Sequence, residues 1–249
     1  MKKLINAEIV NNIYVAGDIY RLTVKADMTA SPGQFVQVRL PSNEFTLRRP
    51  FGVADLKDGQ VTMFYRVVGR GTEYLTGLKS GDVINLLGAL GHGFNLTDGK
   101  VLLVGGGLGL APLIFAASEL KDVDVLIGGK NAAEANLWQS EFKPLTNELF
   151  IATDDGSAGV HGFVTELLPK VLSMNKYEAI LTCGPEIMMR RVAALAKENN
   201  IPCQVSLEKR MGCGLGACLS CSIDTIHGRQ KICKEGPVFN AEEVFDIQS

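Results

Sequence analysis

The sequence predicts a small antiparallel β-barrel, then a parallel-sheet α/β domain, then a short cysteine-rich segment. Three observations carry this. Over the first 95 or so residues, short β-branched stretches alternate in hydrophobicity, with no helical period between most of them. After Lys100, short apolar runs alternate with helical stretches, as in βαβ units. From Glu208 the tail is too short for a conventional core, yet it holds four of the six cysteines. The expected boundaries are residues 1–97, 98–207 and 208–249.

Six strands are expected first: Ala7–Val15, Ile19–Lys25, Gln34–Leu40, Pro50–Asp55, Val61–Val68 and Asp82–Leu87. Ser31-Pro32-Gly33, Lys57-Asp58-Gly59 and Lys79-Ser80-Gly81 supply turns between them. Six short strands so connected suit a closed barrel. Gly91–Gly99 reads as the linker. The second domain offers strands at Val101–Val104, Val123–Ile127, Leu149–Thr153, Ala179–Thr182 and Gln204–Leu207. Its helical runs include Leu110–Leu120, Gly162–Val171 and Glu186–Asn199.

The chain is 46% hydrophobic and 21% charged, with a formal net charge of −2. That is an ordinary globular composition. It has no basic excess to attract nucleic acid or an anionic membrane. The N-terminus turns polar at once, so no signal-peptide apolar region is expected. Val101–Ser118 is uncharged, but its four glycines and Pro112 break it into strand, loop and helix. Six cysteines without a secretory signal point to a reducing compartment, the cytoplasm, and to ligands instead of bridges.

The cysteines carry the most specific signal. Cys213, Cys218 and Cys221 are spaced C-x4-C-x2-C, with Cys233 further on. Plant-type 2Fe–2S sites use that spacing plus one distant cysteine. Zinc sites usually present paired C-x2-C knuckles. A zinc site or a disulfide pair is the alternative. Gly212, Gly214 and Gly216 suit a loop wrapped closely around four sulfurs. Cys183 and Cys203 lie outside the motif and read as buried thiols.

Three glycine-bearing loops follow strands of the α/β region. Gly105–Pro112 reads G-x-G-x-x-P from Gly107 and opens a helix, where backbone N–H groups can meet a pyrophosphate. Alone it equally suits a tight strand–helix turn. Thr182-Cys183-Gly184-Pro185-Glu186 and Thr153-Asp154-Asp155-Gly156 end two other strands on the same edge. Ligands of open parallel sheets collect at that edge. In the β-region, Leu47–Gly52 and Tyr65–Thr72 mix arginine, aromatic residues and glycine. Arginine favours bidentate phosphate pairing and an aromatic ring offers a stacking face, although two solvated strand ends would read alike.

With these residues in place, the chain resembles the ferredoxin–NAD(P)H reductase superfamily and, within it, the electron-transfer subunits of type B dihydroorotate dehydrogenases. Pro32-Gly33-Gln34-Phe35 and Arg49-Pro50-Phe51-Gly52 match the flavin-domain pattern. Gly107-x-Gly109-x-x-Pro112 and Cys183-Gly184-Pro185-x-x-Met188 match the nucleotide-domain pattern. Leu207-Glu208-x-Arg210-Met211-x-Cys213 through Cys221, with Cys233, matches the subunits' own cluster motif.

The resemblance implies FAD in the barrel, NAD at the strand ends and a 2Fe–2S cluster on the four cysteines. Arg49 would hold the FAD diphosphate, and Pro50, Phe51 and Gly52 would line the isoalloxazine. Arg66, Val67 and Val68 would contact the flavin nucleotide, and Gly71 with Thr72 its phosphates. The superfamily often has Ser or Thr where Gly52 stands; only a backbone N–H remains here. Cys183 would sit near the nicotinamide. The resemblance further implies an FMN-containing catalytic subunit as partner, in a heterotetramer of two copies of each, serving pyrimidine biosynthesis. Two rivals remain at this stage. One is a free-standing NAD(P)H reductase serving an oxygenase or ferredoxin, although this tail is shorter than a full ferredoxin domain. The other is a zinc-stabilised binding module. The residues leave NAD against NADP open: the acidic residue usual about 20 positions past the glycine loop is missing, and Gly128-Gly129-Lys130 falls there. The resemblance favours NAD.

Overall fold

The computed structural model describes residues 3–246. The N-terminal sheet contains β1 (Lys3–Ala16), β2 (Ile19–Lys25), β3 (Phe35–Arg39), β4 (Arg49–Gly52), β5 (Asp55–Lys57), β6 (Gln60–Arg66) and β7 (Val83–Leu90). Their order is β4-β3-β7-β1-β2-β6-β5, antiparallel throughout. The barrel has seven strands where six were expected, because the run Pro50–Asp55 changes partner halfway. β4 pairs with β3 and β5 with β6. Between them, Val53 N–H donates to Gln34 O (3.0 Å) and Ala54 N–H to Thr62 O (2.9 Å). One extended run therefore ties both edges of the sheet and closes it. Phe51 stacks on Tyr65 across this seam, with ring centroids 5.8 Å apart.

A short helix, α1 (Arg70–Thr76), follows β6. It was not among the expected elements. The hydroxyl of Thr72 builds its start: it accepts from Val68 N–H (2.9 Å) and Gly69 N–H (3.2 Å) and donates to Gly69 O (3.0 Å).

The second sheet contains β8 (Val101–Gly106), β9 (Val123–Gly129), β10 (Glu148–Thr153), β11 (Val160–His161), β12 (Ala179–Cys183) and β13 (Cys203–Ser206). These are parallel, in the order β11-β10-β9-β8-β12-β13. Helices α2 (Ala111–Glu119), α3 (Ala132–Phe142), α4 (Val164–Met174) and α5 (Glu186–Glu198) connect them. The strand order runs outward from β8 in both directions. That makes the carboxyl ends of β8 and β12 a topological switch point, where such sheets open a crevice.

The tail forms a hairpin, β14 (Ser222–Thr225) with β15 (Gly228–Lys231), then β16 (Val238–Asn240) and α6 (Ala241–Phe245). β16 pairs antiparallel with β13, Val205 opposite Phe239, and finishes the second sheet. The segment from residue 208 packs against both neighbours. Cys221, Cys233, Ile232 and Phe239 pack with Phe35 and Leu90 of the barrel in one apolar cluster. A further core joins the two larger units: Phe64 of β6 meets Trp138 of α3 with centroids 5.2 Å apart. Arg66 crosses the same junction, bonding Glu134 at 2.5 Å and Asp18 at 3.3 Å.

Candidate functional site

Arg49 and the Gly71–Thr72 turn come together. The Arg49 guanidinium lies where a Cβ on Gly71 would be, with Nε at 2.6 Å from that position. Its Cζ stands 4.8 Å from the centroid of the Phe45 ring, and it donates to Leu47 O. The early N–H groups of α1 lie beyond its own hydrogen-bond ladder. A cation and free backbone donors at one place suit a diphosphate. The Thr72 hydroxyl is already committed to its own turn, so Thr72 offers backbone and not side chain. Val67 is half-buried and Val68 is 79% exposed. Arg66 is held by its two carboxylates, which sequence reasoning missed because Glu134 lies in the unassigned α3 stretch.

Pro50, Phe51 and Gly52 run along the same strand toward the second unit. A Cβ on Gly52 would lie 3.4 Å from Pro112 Cβ. The end of β4 therefore abuts the glycine loop after β8. Within that loop Gly107 takes the left-handed conformation (φ +58°). Gly109 has no room for a side chain: its Cβ would come 2.5 Å from Cys183 O and 2.6 Å from Gly184 Cα. Pro185 closes on Gly106, whose Cβ would meet Pro185 Cδ at 3.3 Å. The two motifs thus form one wall of the crevice. Thr153–Gly156 ends β10 two strands away and belongs to its outer part.

The Cys183 thiol is buried, and burial pushes its pKa up, with the nearby Glu208 charge adding to the effect. Its carbonyl, not its sulfur, meets Gly109. Glu208 is accessible to solvent yet enclosed by protein on most sides, and this desolvation raises its pKa.

All six cysteines are free thiols. Leu215 N–H and Cys218 N–H donate to Cys213 Sγ (3.3 and 3.4 Å), Cys213 N–H to Cys218 Sγ (3.4 Å) and Gly216 N–H to Cys233 Sγ (3.1 Å). Gly214, Gly216 and Leu219 adopt positive φ to wind the loop (+70°, +83° and +60°). Cys213 and Cys218 sit together, as do Cys221 and Cys233. The four thiols thus form two neighbouring pairs within one loop-and-hairpin segment, and thiolates in the C-x4-C-x2-C spacing plus one distant cysteine are the ligands a 2Fe–2S cluster takes. The donor set and its N–H cradle fit a 2Fe–2S cluster. The Ser220 hydroxyl, then the Cys213 N–H, hold the Cys218 thiol down at about 6, while burial pushes Cys233 up to about 12. Cys221 and Cys233 are buried; Cys218 is exposed, beside Leu219 at 61% exposure. Cys203 lies at the far end of β13, its thiol pushed up to about 12 by burial.

Residues 208–245 match the iron–sulfur cluster binding domain of dihydroorotate dehydrogenase B. The chain is 41% identical to the dihydroorotate dehydrogenase B (NAD(+)) electron transfer subunit of Clostridium acetobutylicum, over 95% of each chain. It is 39% identical to that of Desulforamulus reducens, over 98% of this chain and 99% of the other. Among solved structures, an NADH-dependent reduced ferredoxin–NADP oxidoreductase superposes with TM-score 0.84 at 31% identity, covering 96% of this chain and 89% of that one. A Neisseria gonorrhoeae ferredoxin–NADP+ reductase with bound FAD and NADP shares the fold at TM-score 0.65 and 16% identity, over 79% of this chain and 91% of that one. With a reductase fold, a glycine-walled crevice and a four-cysteine loop all in place, the chain belongs to the family of dihydroorotate dehydrogenase B electron-transfer subunits.

Proposed function

We propose that this chain carries electrons between a flavin-containing catalytic partner and NAD. The observation that carries the reading is the contact of Gly52 with Pro112, which puts the wall expected for a flavin beside the loop expected for a nicotinamide nucleotide. A flavin, when bound, trades hydride with nicotinamide and single electrons with an iron–sulfur cluster. Arg49 and the backbone of Gly71 and Thr72 hold the FAD diphosphate. Pro50 and Gly52 face the isoalloxazine, with Phe51 between them backing that wall by its stack on Tyr65, and Val67 and Val68 border the nucleotide. Arg66 locks the barrel to α3 and so fixes the angle between the two halves of the site. Gly107 and Gly109 bring backbone close to the NAD pyrophosphate, and Cys183, Gly184 and Pro185 form the nicotinamide end. The relatives' name, dihydroorotate dehydrogenase B (NAD(+)), supports NAD over NADP.

Cys213, Cys218, Cys221 and Cys233 hold the cluster at a surface edged by Leu215 and Leu219. That edge faces the partner, an FMN-containing dihydroorotate dehydrogenase subunit, in a cytoplasmic heterotetramer of two copies of each chain. No helix among the described residues is long and apolar enough to cross a membrane. The test is a visible spectrum with iron and labile-sulfide analysis of the purified chain. Flavin and two irons per chain are expected; a colourless protein containing zinc would overturn the reading.

A further inference from the structure

Gln37 is a fully buried amide flanked in β3 by Phe35, Val36 and Val38. Its neighbours explain where it stands. In the β3–β4 ladder Gln37 is directly opposite Pro50, and Phe35 is opposite Gly52. Opposed residues share a face of the sheet. Phe35 packs with Cys221 and Cys233. The outer face of these two strands therefore carries the flavin wall at one side and the cluster segment at the other. Gln37 is the polar side chain between them. A Cβ on Gly214 would lie 2.8 Å from Gln37 Cγ and 2.8 Å from its Nε2, so the cysteine loop rests directly on the amide. Nε2 donates toward Met211 Sδ at 3.7 Å. Oε1 is buried with no hydrogen-bond partner among the described residues. An unpartnered buried acceptor is costly, so its retention needs a reason.

We propose that Gln37 is a positioning residue for the cluster: it seats the Met211–Gly214 loop on the flavin strand and turns the positive end of its amide toward the ligand loop. N–H dipoles aimed at a cluster favour its reduced, more negative form and raise its potential. The sign follows from Nε2 being the amide atom that lies against the loop, at Met211 Sδ and Gly214. The inference rests on the assignment of FAD to the barrel and the cluster to the four cysteines.

The test is an EPR-monitored redox titration of the full chain, purified with its flavin and iron, using mediators and dithionite. The variants are Gln37→Met, which keeps the volume and removes the dipole, Gln37→Glu, which adds negative charge, and Gln37→Asn, which draws the amide back by one methylene. Gln37→Met is expected to lower the cluster midpoint by up to about tenfold in the reduction equilibrium, which is 59 mV for one electron. Gln37→Glu should lower it further and Gln37→Asn less. The FAD midpoint serves as the internal reference and should move less than that of the cluster. Loss of iron in Gln37→Met with retention and a lowered midpoint in Gln37→Asn also supports the role. An unchanged midpoint and EPR spectrum in any iron-replete variant lacking the amide, or iron loss in all three, would overturn it. Failure of the underlying assignment would look different: the unaltered chain would lack flavin or iron.

Discussion

The neighbouring arginines at the start of β4 serve different ends. Arg48 donates to Gln37 O (3.1 Å), Asn85 O (3.0 Å) and Asn85 Oδ1 (2.5 Å). It stitches β3 to β7. Arg49 instead lies beside the Gly71 turn with its guanidinium available to an anion. Arg49→Ala should lose about 1.5–3 kcal/mol of a charged hydrogen bond, roughly tenfold to a hundredfold in FAD affinity. Flavin retention through gel filtration and dilution measures it. Arg48→Ala should keep far more of its flavin but lower the melting temperature, because it strands three acceptors. Pairing of these two cations was legible in the sequence. The resemblance singled out Arg49 for the diphosphate, but the bonds of Arg48 to β3 and β7 were not legible, since they depend on which strand lies next to β3.

At the scale of the element, the two glycine motifs depend on each other. A Cβ on Gly109 would meet backbone of Cys183 and Gly184, which cannot swing aside as a side chain can. Gly109→Ala should cost about 1–3 kcal/mol of stability through overpacking and should weaken NAD binding. Thermal melts and nucleotide titration check both. The cysteine loop makes its own prediction. Cys218→Ser should strip or destabilise the cluster while FAD stays bound, and Cys203→Ser should leave iron unchanged. Full iron and sulfide in the Cys218 variant would sink the ligand assignment.

The loops and cysteines were readable in advance because glycine and thiol positions are set by local geometry. Elements defined by a distant partner were harder. The run Pro50–Asp55 shows extended residues but not the change of partner at Val53 that closes the barrel. β16 looked like part of a coreless tail because its ladder is with β13. Gln37 breaks the polar-outward rule since the tail covers the outer face of β3. Its one signal was a strand apolar on both faces around a lone amide, Phe35-Val36-Gln37-Val38.

Across the whole molecule, the packed junctions matter as much as the cofactor loops. Phe64 on Trp138, Arg66 on Glu134 and Phe35 against the cluster segment leave little freedom between units. Such a scaffold suits electron transfer, which needs fixed spacing more than motion. The chain should oxidise NADH with an artificial acceptor when alone and show no oxidation of dihydroorotate. Adding the catalytic partner should create dihydroorotate-to-NAD transfer. Cys221→Ser should keep the first activity and lose the second. The most direct test of this wiring is stopped-flow reduction of FAD by dihydroorotate in the mixed complex, with and without the cluster. The account predicts rapid FAD reduction with the cluster present and almost none in the Cys221 variant. Rapid reduction with the cluster absent would show that the two flavins communicate without it, and would contradict the account.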